Sequence, residues 1–193
     1  MKNTHQVLEE IAEINPSITH FLLRIYKHTI GSIHDPVDGA DYQWVKVSLL
    51  NKIESIINTF ENDGWSVGLV NTVMTNRGMK YLPVLDYKIE QSEENLKRIV
   101  ERLTIFDTSG DVEYSLKGYI IQTNNSYHFL GKYITTEENF INFLGSSLLF
   151  RHSGDSSFVV DDRWLGYSLK RKFATLRIGK KGGAVPFVIQ ELK

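Results

Sequence analysis

The chain contains no cysteine among its 193 residues. That absence removes disulfides, thiolate nucleophiles and cysteine-ligated zinc or iron–sulfur centres together, a zinc ribbon among them. No window approaches the roughly 18 unbroken apolar residues that a membrane-spanning helix needs, and the N-terminus, Met1 to Ile14, mixes Glu9, Glu10 and Glu13 into its apolar positions. The expectation is a soluble, cytoplasmic protein with no membrane partner. An excess of one charge is missing too: 22 Lys and Arg stand against 23 Asp and Glu, a formal charge of -1. No global attraction to nucleic acid follows, so any polyanion site must be a local patch. The absence of a GxxxxGK loop argues against a P-loop nucleotide site. There is no internal repeat and no low-complexity linker, and the length suits one compact domain over 1–193.

One local absence marks such a patch. From Arg163 to Lys181 the chain carries Arg163, Lys170, Arg171, Lys172, Arg177, Lys180 and Lys181, with no Asp or Glu to oppose them. Arg171 and Arg177 flank Phe173, and Lys180-Lys181-Gly182-Gly183 is a flexible basic turn that could close over phosphates. A run of charge is more often a solvated hairpin, and that reading stands beside it.

Val7, Leu8, Ile11 and Ile14 recur at helical spacing up to Pro16, which predicts a helix over about 4–13. The apolar run over 18–30 is read as a second helix on its length. His34, Asp35, Asp38 and Asp41 could be drawn as a metal site, but their spacing matches no calcium loop and a solvated loop is the plainer reading. Val45, Leu49, Ile53, Ile56, Ile57 and Phe60 give a helical stripe over 42–60. The N-terminal part, 1–64, is thus expected to be helical, and 65–193 to form a sheet core. Strands over 65–74 and 79–89 meet at Asn76-Arg77-Gly78, and strands over 116–123 and 127–134 meet at Asn124-Asn125. Helices fall over 93–106 and after Thr135 or Thr136. A turn or short helix comes after Asp161, and a last strand covers 184–190. Helices interleaved with hairpins predict an α/β or α+β fold with helices packed on the sheet.

Three motifs could carry chemistry. Val84-Leu85-Asp86-Tyr87-Lys88-Ile89-Glu90, read as a strand, places Asp86, Lys88 and Glu90 on one face. Two carboxylates on such a face suit two ions roughly 4 Å apart, but here the middle group is an ammonium. Glu90 does not replace it if the strand runs on, since four strand residues span about 13 Å. The plain alternative is an exposed edge with Asp86 and Lys88 in a weak ion pair. Ser126-x-His128 puts a hydroxyl and an imidazole on one side of a hairpin, where a neutral imidazole can donate to a phosphate oxygen. A packed or surface histidine is the alternative. Val159-Val160-Asp161-Asp162 ends an apolar strand in carboxylates, one able to join Asp86 on a metal and the other to cap the following turn; Asp162 is read as the cap, with the roles open to reversal.

Taken in order, strand-Asp, Ser-x-His, apolar-apolar-Asp, and the Arg171, Phe173 and Leu176-Arg177 stretch make the chain resemble the archaeo-eukaryotic primase superfamily, especially its primase-polymerase and small primase-like members. The resemblance covers about 82–183. It implies a primase-like core with a mixed, largely antiparallel sheet and an RRM-like part. It further implies metal roles for Asp86 and Asp161, with Asp162 beside them. Phosphate contacts would fall to Ser126 and His128, and triphosphate binding to Arg171, Arg177 or Lys180. The implied cofactor is Mg2+ or Mn2+, the implied ligand a nucleoside triphosphate, and the implied partner DNA or RNA. The implied reaction is template-directed nucleotidyl transfer, with Asp86, Asp161 and His128 as its catalytic groups. Lys88 stands where the family's first motif has its second carboxylate, and an ammonium there repels a second ion. A primase-like module that binds nucleotide or nucleic acid without polymerising is therefore the alternative expectation, and a structural or interaction module the further, bland alternative.

Overall fold

The computed structural model describes residues 2–27, 40–108, 115–149, 159–180 and 185–193. The candidate residues His34, Asp35, Asp38, Lys181, Gly182 and Gly183 lie outside the described residues.

Helix α1 (Thr4–Ile14) starts on a capping box: the Asn3 side chain accepts from the Gln6 N–H, and the Gln6 side chain accepts from the Asn3 N–H. Its apolar face, Val7, Leu8 and Ile11, is buried. The next element is strand β1 (Ile18–Tyr26), where a helix was expected over 18–30. The run contains a period of two that its length conceals: Phe21, Leu23 and Ile25 point into the core, while Leu22, Arg24 and Tyr26 take the other face. A continuous apolar run satisfies either period, and here pairing with strands on both sides decides for the sheet. The helix expected over 42–60 likewise begins as strand β2 (Asp41–Lys46), passes through a 3-10 turn over Val47–Lys52, and becomes helix α2 (Ile53–Asn62), which buries Ile53 and Ile57.

Strands β3 (Ser66–Thr75) and β4 (Gly78–Tyr81) form the expected hairpin. Gly78 sits at φ +103, a conformation that side chains with a Cβ rarely adopt. The strand expected over 79–89 is cut at Leu82-Pro83, where the chain leaves one sheet and resumes in another as β5 (Val84–Asp86). Helix α3 (Glu93–Thr108) leads to the hairpin of β6 (Gly118–Gln122) and β7 (Tyr127–Gly131). Helix α4 (Glu137–Ser147) is capped by Thr136, and helix α5 (Asp162–Arg171) by Asp161. Strands β8 (Thr175–Arg177) and β9 (Phe187–Leu192) complete the described chain.

The result is an α+β fold with two antiparallel sheets. The first has the order β2-β1-β3-β4, with β8 pairing the part of β3 that β4 leaves free. The second has the order β5-β7-β6-β9. Within it β5 and β6 are parallel with β7 inserted between them, the split β-α-β arrangement of an RRM-like part. Among the described residues the N-terminal part, expected to be helical, is therefore mixed: it supplies β1 and β2 as well as α1 and α2.

Asn71 joins the pieces of the first sheet. Fully buried, it accepts from the Leu82 N–H at its carbonyl and from the Ala174 N–H at Oδ1, and donates from Nδ2 to the Leu82 carbonyl. Helix α4 spans the joint between sheets: Phe140 stacks on Tyr81 at 5.7 Å between centroids, and Phe143 meets Phe129 edge-on at 6.3 Å. A partly buried ionic cluster fastens the second sheet to α1. Lys132, 8% exposed, pairs with Glu191 at 2.5 Å and Glu10 at 3.2 Å, and Lys2 bridges the same carboxylates.

Candidate functional site

The two sheets abut at the end of β5. Tyr87, one residue past it, bridges to Val160, and two backbone bonds of 2.9 Å, Asp161 N–H to the Asp86 carbonyl and Lys88 N–H to the Val159 carbonyl, lock the segments together. Asp86 and Asp161 are thereby held side by side, though 75 positions separate them in sequence. The Asp161 Oδ1 accepts from the Trp164 N–H at 2.9 Å and caps α5. The cap is thus Asp161, where Asp162 was expected. Asp162 is exposed and accepts from the neighbouring Arg163 N–H.

Around this joint lies a cavity of about 420 Å³, in the size range of small-ligand sites. Asp86, Ser126, His128, Asp161 and Arg177 all line it, and Lys88 does too. Asp162, Arg171 and Lys180 do not. The Arg171 Nε donates to the Tyr167 carbonyl at 3.2 Å, and its guanidinium lies over Phe173 on the outer face of the first sheet. Lys180 is exposed, and its backbone N–H donates to the Glu61 carboxylate beside α2. The chain reverses after α5, which separates Arg171 from Arg177, while Lys180 lies past the end of β8.

His128 and Asp86 are direct cross-strand partners on β7 and β5. The imidazole is 4% exposed, with Nε2 3.4 Å from Asp86 Oδ1. A carboxylate only accepts, so Nε2 is the nitrogen that faces Asp86 as a donor. The other ring nitrogen, Nδ1, is buried and has no hydrogen-bond partner. The Ser126 hydroxyl is taken up differently from expectation: it donates to the Tyr87 carbonyl and accepts from the Ile89 N–H at 3.4 Å. Gln91 ties down the same turn through the Thr123 carbonyl at 2.7 Å. Ser126 therefore shapes the wall that His128 projects from.

Arg177 reaches the cavity from the first sheet, directly opposite Gly68 on β3. A Cβ at Gly68 would meet the Thr175 methyl at 2.4 Å, so glycine is what lets β8 and β3 close there. Tyr26 stands on the same face. Burial raises its hydroxyl above the usual range and Asp86 adds to this, while Arg177, Arg24 and Arg171 pull it back down.

Glu90, Thr123, Asn124 and Asn125 also line the cavity, although the motifs assign them no role. A strand running on past Asp86 would carry Glu90 away, but β5 stops at Asp86 and the irregular segment after it returns Glu90 to the rim. As donors, Asp86 and Asp161 are hard oxygens suited to magnesium or manganese, and the Asp161 Oδ2 is left uncommitted by the capping bond. Among the described residues no three His, Asp or Glu groups converge tightly enough to hold an ion by themselves. The set thus fits at most one ion that takes its remaining ligands from a bound molecule and water, and Lys88 lines the same cavity. No helix among the described residues is long and apolar enough to cross a membrane.

A family model described as archaeo-eukaryotic primase 1D-like matches residues 49–187. No curated protein and no solved structure matches the chain.

Proposed function

Because the chain belongs to the archaeo-eukaryotic primase 1D-like family, we propose that residues 1–193 act as one primase-like domain whose cavity binds a nucleoside triphosphate together with one magnesium or manganese ion. The observation that carries this reading is the convergence of Asp86 and His128 from the second sheet, Arg177 from the first and Asp161 from the start of α5 on one ligand-sized cavity.

Asp86 and Asp161 hold the ion, and a divalent cation bound there supplies charge neutralisation for the triphosphate. Arg177 faces the phosphates with a guanidinium that can grip two oxygens at once. His128 holds its Nε2 proton between Asp86 and a phosphate oxygen, so it orients the carboxylate when the site is empty and shares its donor when it is filled. Ser126 keeps the turn in place, and the Asn124 and Asn125 amides stand on the rim where a base or ribose would lie.

Lys88 favours binding without polymerisation. Its ammonium lines the same cavity as the two carboxylates, and it opposes the second ion that would activate a primer hydroxyl. Calorimetric titration with a manganese–nucleoside triphosphate should show one-to-one binding. His128→Ala should weaken it by about tenfold, the loss of one hydrogen bond to a charged group. No binding by the wild type overturns the proposal. Nucleotidyl transfer is the second reading, supported by the side-by-side carboxylates. Metal-dependent incorporation on a primed template that Asp86→Ala with Asp161→Ala abolishes would establish it in place of binding alone.

A further inference from the structure

The cavity has a second end, beyond Asp86 and His128. From the pairing of those two residues the segments that carry them run on side by side. The Tyr87 N–H donates to the Tyr127 carbonyl at 3.0 Å and the Ile89 N–H to the Ser126 hydroxyl at 3.4 Å. The Gln91 Nε2 then reaches the Thr123 carbonyl at 2.7 Å and the Ser126 carbonyl at 3.3 Å. Glu90 lies between the last two ties, and Asn124-Asn125 forms the tip of the turn that they fasten. The turn also closes on itself: the Thr123 N–H donates to the Ser126 carbonyl at 2.9 Å, and the Ser126 N–H to the Thr123 hydroxyl at 3.2 Å. On the other segment the Asn95 Nδ2 holds the Glu90 carbonyl at 2.9 Å, and the Gln122 Nε2 holds the Gln91 Oε1 at 3.0 Å.

The side chains that this frame presents are uncommitted. Glu90, Asn124 and Asn125 are exposed and line the cavity, and among the described residues no hydrogen bond or ion pair engages the carboxylate or either amide. A turn braced in this way, holding out one carboxylate and two amides, is preorganised to read a flat polar ligand. Glu90 is less than about 13 Å along the chain from Asp86, the reach of four extended residues, so one ligand can touch both ends.

The chemistry of the three groups selects among the bases. A carboxylate only accepts, and it uses both oxygens only on two donors set side by side. Guanine has such a pair in its N1–H and 2-amino groups. Adenine and cytosine place a bare ring nitrogen beside their amino group, and uracil flanks its single N–H with two carbonyls. Guanine's O6 and N7 are acceptors on the adjoining edge, and an asparagine amide supplies the donors that they need. Adenine in the same pose would turn a lone pair toward the Glu90 carboxylate, which is a penalty as well as a lost bond.

We infer that the cavity selects a guanine nucleotide, with Glu90 on N1–H and the 2-amino group and the Asn124-Asn125 turn on O6 and N7. The inference rests on the nucleotide reading of the cavity and deepens it, adding the base to the phosphates already assigned to Arg177 and the ion. Selection by the protein itself needs no template strand, in keeping with binding without polymerisation.

The test is calorimetric titration of the full chain with the manganese salts of guanosine, inosine, adenosine, cytidine and uridine triphosphates. Guanosine triphosphate should bind about tenfold or more tightly than the adenosine, cytidine and uridine compounds. Inosine triphosphate lacks only the 2-amino group and should bind about tenfold more weakly than guanosine triphosphate, the loss of one hydrogen bond to a charged group. Glu90→Ala should close the gap between those two, and since Glu90 is exposed the variant should melt with the wild type. Asn124→Ala with Asn125→Ala should instead weaken both equally, because O6 and N7 are common to them. Equal binding of all five by the wild type, or a gap between the guanosine and inosine compounds that survives Glu90→Ala, overturns the base assignment and leaves the cavity reading intact. Failure of every triphosphate to bind removes both.

Discussion

Asp161 carries two separable duties, and substitutions can pull them apart. Its Oδ1 accepts the Trp164 N–H at 2.9 Å and starts α5, while the proposal assigns the rest of the carboxylate to the ion. Removing a helix cap costs about 0.5–2 kcal/mol. In a chain of this length that lowers Tm by about 1–8 °C, at roughly 2–4 °C per kcal/mol. Asp161→Ala loses both duties, so it should melt several degrees early and also bind a manganese–nucleoside triphosphate weakly. Asp161→Ser keeps an oxygen for the cap but no charge for the ion. It should melt near the wild type yet show the same weakened binding, about 10–100-fold for the loss of a charge-assisted contact. Calorimetry for affinity and thermal unfolding by circular dichroism for stability read the two effects independently. A serine variant that binds like wild type refutes the metal assignment, and an alanine variant that melts like wild type refutes the capping argument.

Three further outcomes are expected of the same structure. Arg177→Ala should weaken nucleoside triphosphate binding by about tenfold or more while leaving nucleoside binding unaffected, because only phosphates call on the guanidinium; equal losses for both would place Arg177 elsewhere. Gly68→Ala drives a Cβ to 2.4 Å from the Thr175 methyl and should cost about 1–3 kcal/mol by overpacking, measured by urea denaturation; an unchanged midpoint would mean that β8 is not held against β3. Burial pushes the Glu10 carboxyl up, but Lys2, Tyr119 and Lys132 outweigh it and hold it at about 2 instead of 4.5. A depressed carboxyl stabilises the fold fully above its unfolded value and loses that contribution as pH falls through the folded one. The stability gap between wild type and Glu10→Gln, on the order of 2 kcal/mol at neutral pH, should therefore close between about pH 4.5 and 2, and a gap constant with pH would contradict the pairing.

Local signals are legible where turn chemistry punctuates them. Asn76-Arg77-Gly78 and Asn124-Asn125 announce both hairpins, and Thr136 announces α4, because capping and φ preferences act within a few residues. Ile18 to Tyr26 reads wrongly as a helix because an apolar run says nothing about its period until neighbouring strands pair with it. Val45 fits the helical stripe of α2 equally well as the inward residue of β2. In the site, Asp86, His128, Asp161 and Arg177 can be named from motif order, whereas Arg171 and Lys180 group with them only by proximity in sequence. Arg171 diverges because the chain reverses after α5, marked by Lys172 at φ +61, and Lys180 because its backbone is drawn to Glu61 beyond β8; a count of basic residues reveals neither. The hydroxyl of Ser126 turns inward to the Tyr87 carbonyl because β5 ends one residue earlier. The alignment of Arg177, Gly68, Arg24 and Tyr42 across β8, β3, β1 and β2 is illegible altogether, since it exists only through the register of four strands.

The most direct measurement is a crystal structure with a nucleoside triphosphate and manganese, using the metal's anomalous signal to count and locate ions. The account predicts one manganese peak shared by Asp86, Asp161 and the triphosphate, with Arg177 on the phosphates and Lys88 where a second ion would stand. Two manganese peaks in the cavity would contradict the binding-only reading, and a nucleotide bound elsewhere, or none at all, would contradict the site.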